Sequence, residues 1–265
     1  ARSGATRTRN ALARRRRTSR PVTVADYDFH LFDLDGTLVD AEWEYTRAVF
    51  DRVGDRLGRE FSDREARVLW HGLGGSRAET LRGMGVDPDA FWPAFHAVED
   101  PVARAEATYL HDDAARLLDR VGEVGGPTGL VTHCQEFLAE PVLDRVDLDD
   151  RFDAVVCCTD ETGWKPAPDP IEAAMGELGV DPNRGRGYYV GDGESDVAAA
   201  WSAGLDAVHV ERVGHDERGR CVLGDRRVSR LDELVGGDGS DADRRGGVRV
   251  DSDDPLGAGG PADAS

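Results

Sequence analysis

Short apolar runs alternate along the middle of the chain with longer stretches of helical periodicity. The runs are rich in β-branched and aromatic residues and lie at 29–32, 129–131, 154–157, 188–190 and 207–210. Runs that are short, uniformly apolar and separated by helices are typical of parallel strands buried on both faces. The pattern therefore predicts an α/β fold with a doubly wound parallel sheet.

The interval between the first and second runs is much longer than the later ones. It carries mainly helical signals, at 41–57, 63–70, 77–84 and 88–109, and a further helix at 112–121 returns the chain to the sheet. A structureless loop of that length is implausible inside a domain. We therefore expect an α-helical cap, residues 38–109, inserted into a catalytic core formed by 21–37 and 110–235.

The two ends of the chain have compositions that cannot form a packed core. Residues 1–20 hold eight arginines and no acidic residue, and 236–265 are rich in Gly, Asp and Ser. Both are predicted to be disordered tails. A twin-arginine signal is not favoured because no apolar stretch follows it, whereas an upstream extension from a misplaced start and a nucleic-acid contact by this tail stay open.

The formal net charge of -19 argues against a nucleic-acid or anionic-membrane surface on the body of the protein. No apolar stretch approaches the roughly 20 residues that span a bilayer. The four cysteines show no paired spacing of a metal site or disulfide framework. We expect a reduced, cytoplasmic protein, and the pattern points to no particular oligomeric state.

Two carboxylates follow the first strand directly. Asp33 and Asp35 precede a Gly36-Thr37 turn, at the strand end where open α/β sheets bind ligands. The Asp-x-Asp pair recurs elsewhere in so acidic a chain, so its position after a buried strand is what indicates a functional site.

A second pair of carboxylates follows a later strand. Asp192 and Asp196 come after the run at 187–191 and stand at the start of a helix rich in small residues. Asp196 alone is equally typical of a helix N-terminus. Carboxylates that share one crevice repel unless a cation neutralises them, and an all-oxygen site suits Mg²⁺. The cluster therefore predicts a magnesium site.

Lys165 is the only lysine in the chain, beside 32 arginines. A planar guanidinium cannot replace a compact ammonium in a tight site, so a lysine retained against this bias indicates a function. Thr132, at the end of the second strand, is a weaker candidate because threonine is common there.

In this order the motifs resemble the haloacid dehalogenase superfamily, specifically its phosphoglycolate phosphatase-like branch with a helical cap. The resemblance covers about 28–212 and rests on Asp-x-Asp-Gly-Thr, the strand-end threonine, Lys-Pro-Ala-Pro-Asp-Pro and Gly-Asp-x-x-x-Asp. It implies hydrolysis of a small-molecule phosphate monoester. Asp33 would attack phosphorus to form an aspartyl phosphate, and Asp35 would protonate the leaving oxygen and then activate water.

The resemblance also implies the roles of the remaining residues. Thr132 and Lys165 would hold the phosphoryl oxygens, with Lys165 also neutralising Asp33. The Mg²⁺ ligands would be Asp33, the main-chain carbonyl of Asp35, and Asp192, with Asp196 supporting the site from behind or through water.

Two further residues are candidates for substrate binding. His133 stands where the family often has Asn, and it either contacts substrate or only faces the crevice. Arg77, in a Gly-rich cap loop, is a candidate for an anionic substrate against the alternative of a surface ion pair. Gly193 also departs from a frequent Ser of the family.

Single residues argue against two other enzyme activities on this fold. Asp35 argues against a carbon-halogen hydrolase, and the absence of lysine from 38–124 argues against a phosphonate-cleaving enzyme. A sugar phosphomutase stays the alternative enzyme, because it differs only through cap residues. A non-enzymatic binding protein is the alternative of another class, and it would not need the full set of catalytic side chains.

The acidic excess and the arginine bias are typical of a salt-adapted protein, in which exposed carboxylates repel one another at low ionic strength. We expect the melting temperature to rise between low and molar KCl, measured by circular dichroism. An unchanged midpoint across that range would contradict the halophilic interpretation.

Overall fold

Six parallel strands form one sheet within residues 22–218 and 221–236, the part of the chain that the computed structural model describes. They are β1 (Phe29–Phe32), β4 (Thr128–Thr132), β5 (Ala154–Cys157), β6 (Gly187–Gly191), β7 (Asp206–Val210) and β8 (Arg226–Val228). Their order is β5-β4-β1-β6-β7-β8. A short antiparallel ribbon pairs β2 (Val39–Ala41) with β3 (Thr108–Leu110).

The helices fall into two groups. Five lie between β2 and β3: α1 (Trp43–Leu57), α2 (Asp63–Trp70), α3 (Arg77–Gly83), α4 (Pro88–His96) and α5 (Pro101–Ala107). Five others connect or follow the sheet strands: α6 (Asp112–Val124), α7 (Glu136–Arg145), α8 (Asp169–Leu178), α9 (Glu194–Ser202) and α10 (His215–Arg218). The predicted disordered tails, 1–20 and all of 236–265 except Gly236, lie outside the described residues.

The sheet is covered on both faces because successive residues of each strand point to opposite sides. In β1, Phe29 and Leu31 join an apolar cluster with residues of α8 and α9, whereas Phe32 joins a second cluster with residues of α6 and α7. The predicted doubly wound α/β fold with a helical cap is confirmed.

The cap has an apolar core of its own. The rings of Phe50, Phe61, Phe91 and Phe95 contact one another with centroids 5.5 to 6.2 Å apart. Such aromatic packing holds the cap helices together, while the β2-β3 ribbon joins them to the core. The exact bounds expected for cap and core stay a prediction.

The single helix predicted at 88–109 is wrong. The chain breaks between α4 and α5, and residues 108–110 form β3 instead. Pro101 has no N–H, and a proline ring inside a helix clashes with the carbonyl four residues earlier, which disfavours one continuous helix through this position. Asp100 starts the second helix, since its carboxylate accepts a hydrogen bond from the Ala103 N–H (2.8 Å).

The ribbon and β8 are the strands that the sequence pattern did not predict. Each has only three residues, too few to show alternation between apolar and polar positions.

In the described part of the chain, no helix combines the length and apolarity needed to cross a membrane.

Candidate active site

The register of the three central strands brings the predicted site residues together. Phe32 lies opposite Leu130 of β4 on one side and Val190 of β6 on the other. The residues that follow, Asp33, Thr132 and Asp192, therefore emerge at one edge of the sheet. Their convergence is a consequence of parallel pairing, in which all strand carboxyl ends meet at the same edge.

The Lys165 ammonium lies at the centre of this edge and is only 6% exposed. Its Nζ is 2.7 Å from Asp33 Oδ1 and 2.7 Å from Asp196 Oδ1. It also donates to the Tyr189 hydroxyl (2.9 Å) and to the Val131 carbonyl (3.3 Å). One compact cation thus compensates two buried carboxylates, a geometry that a planar guanidinium cannot reproduce.

Burial and pairing set the charge states of this group. Burial alone would lower the pKa of Lys165, but the Asp196 and Asp33 carboxylates hold it well above its usual value. Burial raises the pKa of Asp33 to about 7, in spite of the opposing Lys165 charge. Burial also disfavours the charged form of Asp196, yet Lys165 keeps the pKa of Asp196 below its usual value.

The loop after β1 is shaped to let the carboxylates approach. Gly36 has a positive φ of 76°, and a Cβ on it would lie 2.6 Å from Asp192 Oδ2. Thr37 donates its hydroxyl to Asp33 Oδ2 (3.2 Å). Arg212 donates to the Thr37 carbonyl (2.6 Å) and pairs with Asp113 of α6 (2.7 Å). Only glycine fits at position 36 without strain, and Arg212 fixes the loop to the core.

Asp33, Asp192 and Asp196 each place a carboxylate oxygen within 4.8 Å of the other two. Asp196 also lies in the first turn of α9, where its Oδ2 accepts from the Gly193 N–H (2.9 Å). Burial, together with the neighbouring Asp196 and Asp33 charges, raises the pKa of Asp192 well above its usual value. Carboxylates that resist ionisation in a shared all-oxygen site are a donor set that a hard cation such as Mg²⁺ fits.

The main-chain oxygen of Asp192 also has a hydrogen-bond partner, Arg218. Arg218 donates to it from Nη2 (3.0 Å) and is itself buried. Its Nε lies 3.9 Å from Glu211 Oε1. This contact holds the loop that presents the Asp192 carboxylate.

The Asp35 side chain points away from this cluster, towards the cap. Its Oδ1 is ion-paired with Nη2 of Arg104 in α5. Arg104 is 3% exposed, whereas the Asp35 side chain is 39% exposed. The predicted acid/base is therefore open to a substrate on one side and held by a cap arginine on the other.

The Arg104 guanidinium lies among aromatic and acidic residues of the cap. Its central carbon is 5.0 Å from the ring centroid of Trp70 and 5.8 Å from that of Tyr45. Glu99 interacts electrostatically with both Arg104 and Asp35, and burial raises its pKa to about 7. These residues form the cap wall that faces Asp35.

Thr132 and His133 lie at the end of β4. The Thr132 hydroxyl oxygen accepts from the Cys134 N–H (3.0 Å), which leaves its proton available to donate to a phosphoryl oxygen as far as the described residues show. The His133 ring contacts Trp164, with centroids 5.7 Å apart, and its Nε2 is buried without a hydrogen-bond partner among the residues that the structure describes. Burial and the Lys165 charge lower the pKa of His133 to about 3, so the ring is neutral near pH 7.

Arg77 is mainly occupied within the cap. It donates from Nε to the Leu69 carbonyl and from Nη2 to the Trp70 carbonyl, both at 2.9 Å. Its charge is still near enough to oppose protonation of His133 and to favour ionisation of Asp192. The contacts show an anchor for the end of α2, and the substrate role of Arg77 stays a prediction.

Two residues of this site escaped the sequence analysis. Tyr189 lies inside an apolar strand, and its hydroxyl donates to the Val131 carbonyl (2.7 Å) while accepting from Lys165. A tyrosine in a buried strand was the available signal, because a buried hydroxyl needs partners. Arg104 is one of 32 arginines, and nothing local distinguishes it.

Several known proteins are similar to this chain in sequence or in fold. The sequence pattern of the haloacid dehalogenase-like hydrolases matches residues 30–210. Phosphoglycolate phosphatase of Escherichia coli (strain K12) is 30% identical over 201 residues, covering 67% of this chain and 78% of that protein. N-acetylmuramic acid 6-phosphate phosphatase of Pseudomonas aeruginosa is 30% identical over 184 residues, covering 68% and 80%. The structure of a haloacid dehalogenase-like hydrolase from Streptococcus pneumoniae has a TM-score of 0.61 at 18% identity, covering 79% of this chain and 97% of that one.

We expect Lys165→Arg to destabilise the protein and to lower turnover sharply. The larger guanidinium must overpack a buried site and misplace the charge, at a cost of about 3 kcal/mol in unfolding free energy and at least about 100-fold in kcat. Denaturant unfolding and steady-state kinetics measure the two effects. Arg184→Lys, at a side chain 88% exposed, is the matched control. Wild-type turnover in Lys165→Arg would show that the ammonium is dispensable.

We expect Mg²⁺ to bind more weakly as the pH falls from 8 to 6. The pKa of Asp33 is about 7 and that of Asp192 is raised, so at pH 6 these carboxyls hold protons that the metal must displace. The apparent affinity should fall by up to about tenfold per pH unit for each proton released. Titration calorimetry at several pH values measures this, with Asp192→Asn as the variant of reduced affinity. A pH-independent affinity would contradict the assignment of these ligands.

Proposed function

This chain belongs to the haloacid dehalogenase-like hydrolases, and from that premise we propose that it is a Mg²⁺-dependent phosphatase that forms an aspartyl phosphate on Asp33. Curated relatives that match two thirds of the chain at 30% identity carry phosphatase names. We further propose Asp33 as the nucleophile, Mg²⁺ as the metal and Asp35 as the acid/base.

The observation that carries the proposal is the environment of Asp33. Its carboxylate is buried at the end of β1, with Oδ1 held by Lys165 (2.7 Å) and Oδ2 by Thr37 (3.2 Å). A carboxylate fixed at both oxygens is oriented for attack on a bound phosphorus, since orientation accounts for much of the rate of such reactions. The adjacent ammonium would also reduce repulsion between this anion and an anionic phosphate.

Asp35 stands two residues later with a partly exposed carboxyl. In the first step it would donate its proton to the leaving oxygen as the phosphorus–oxygen bond breaks. In the second step the resulting carboxylate would take a proton from the water that hydrolyses the aspartyl phosphate. Because one group serves as acid and then as base, it returns to its starting protonation state after each turnover.

The remaining residues would bind the phosphoryl group. The Thr132 hydroxyl and the Lys165 ammonium lie at the same sheet edge, and His133 adds a neutral imidazole whose Nε2 has no partner within 22–218 and 221–236. Asp33, Asp192 and the main-chain carbonyl of Asp35 would hold Mg²⁺, supported by Asp196. When bound, the cation supplies Lewis-acid stabilisation of charge on the transferring phosphoryl group.

The substrate is proposed to be a small-molecule phosphate monoester. The names of the two curated relatives specify phosphoglycolate and N-acetylmuramic acid 6-phosphate. Both compounds are monoesters in which the leaving alcohol carries an acid group. The cap, whose Arg104 side lies against the proposed acid/base, would select among such alcohols.

We expect Asp33→Asn to eliminate turnover while the fold persists. An amide cannot form the acyl phosphate, so hydrolysis should fall by at least about 1,000-fold. A screen of phosphate monoesters with Mg²⁺ at high salt measures the activity, and circular dichroism checks the fold.

The matched control is Asp89→Asn, the same change in another Asp-x-Asp sequence, at an exposed position in α4. It should retain wild-type activity. If Asp33→Asn kept a substantial fraction of wild-type turnover, Asp33 would not be the nucleophile.

A further inference from the structure

The Arg104 guanidinium combines deep burial with an unused donor. Its Nη2 pairs with Asp35, but Nη1 is buried and has no hydrogen-bond partner within the described residues. A buried donor without a partner costs about 1–3 kcal/mol, so such groups are rare unless a ligand completes them. The side chain itself is fixed by the Trp70 and Tyr45 rings.

A second unpartnered donor lies in the same cap wall. The Tyr45 hydroxyl is buried without a hydrogen-bond partner among the described residues. Its ring lies beneath Arg104, and its pKa is raised to about 12 by burial and by the charge of Glu99. Two buried donors on neighbouring side chains of one cap wall suit an acceptor-rich group, such as a carboxylate or phosphate.

The contact that Arg104 already makes shows the chemistry that it binds. Asp35 presents a carboxylate oxygen to Nη2. Asp35 is also the residue proposed to protonate the leaving oxygen, so a bound leaving group must lie beside Asp35 and therefore beside Arg104. A short anionic leaving group could take the unused Nη1 or replace the Asp35 carboxylate at Nη2.

We propose that Arg104 is a specificity-determining residue of the cap, and that it binds an oxyanion carried by the leaving alcohol close to the phosphate ester. The proposal rests on the proposed phosphatase function and names its substrate class. The oxyanion would be a carboxylate or a second phosphate.

The position of Arg104 lets binding act on the acid/base. Its helix, α5, packs against α7 of the core and continues into the ribbon that joins cap to core. An oxyanion that takes Nη2 would release Asp35 from its ion pair, leaving the carboxyl free to receive and donate a proton. The neighbouring Glu99 does not cancel the Arg104 charge fully, since burial favours its neutral form.

The test compares three probes that share one phosphate ester: 2-phosphoglycolate, ethylene glycol bisphosphate and 2-hydroxyethyl phosphate, whose leaving alcohol is uncharged. The measured quantity is the ratio of kcat/KM for each probe with a charged leaving group (the anionic probes) to that for 2-hydroxyethyl phosphate. We expect Arg104→Gln to lower this ratio by about 10- to 100-fold, the usual effect of losing a hydrogen bond between charged groups. The anionic probe with the larger change identifies the carboxylate or the phosphate as the preferred group.

Controls separate binding from structure. Arg104→Lys keeps the charge but loses the planar fork, and should lower the ratio less. Arg59→Gln is the matched control, because Arg59 also pairs with a carboxylate (Glu65, 2.6 Å) and stacks on a ring (Phe61, 4.3 Å) elsewhere in the cap. It should leave the ratio unchanged.

The corresponding ratio of dissociation constants is measured by calorimetry in the presence of Mg²⁺. The measurement compares the Asp33→Asn variant with the Asp33→Asn/Arg104→Gln double variant. If the wild type hydrolyses none of the probes, the proposed activity on such esters fails, and the calorimetric ratio still decides the role of Arg104. An unchanged ratio overturns the proposal, whether both kinds of probe weaken together or neither does. Failure of the anionic probes to bind at millimolar concentration overturns it as well.

Discussion

The ion pairs of Lys165 are the constraint on which the site depends. Three carboxylates share one edge of the sheet, and burial makes each of them costly to ionise. A single ammonium 2.7 Å from both Asp33 and Asp196 offsets part of that cost. The remaining cost appears in the raised pKa values of Asp33 and Asp192. The site is thus stable as a protein structure but electrostatically incomplete, which is the condition that favours binding of a cation.

The sheet supplies the precision that this arrangement needs. Parallel pairing aligns the ends of β1, β4 and β6, so side chains distant in sequence meet without any long loop to order. The glycine at position 36 then removes the one side-chain atom that would collide with Asp192. Tyr189 and the Val131 carbonyl complete the acceptors around Lys165. Most of the buried polar groups at this edge are therefore paired.

The cap meets the core by the same kind of contact. Arg104 reaches from α5 to Asp35, so an ion pair between the two parts of the molecule covers the proposed acid/base. Unlike the Lys165 group, this pair leaves a buried donor without a partner among the described residues. The two cations would therefore have different roles: Lys165 would orient the proposed nucleophile, and Arg104 would bind the leaving group.

Local sequence patterns predicted much of the secondary structure, and failed where an element was short or interrupted. The five predicted strands are all present, because buried parallel strands leave uniformly apolar runs. The prediction of one helix over 88–109 was wrong, because the helical composition of this segment does not reveal the break before Pro101. The ribbon strands have three residues each, too few for any periodicity to register.

The sequence by itself determined the candidate residues of the proposed site, since Asp33, Asp35, Asp192 and Asp196 follow buried strands and Lys165 is the only lysine. Residues of that kind are recognisable because their local context is unusual. Only the tertiary structure decided that Lys165 bridges Asp33 and Asp196, that Tyr189 supports it, and that Arg104 lies against Asp35. Those contacts join residues far apart in the chain, and one arginine among many carries no local mark of the partner that folding will bring to it.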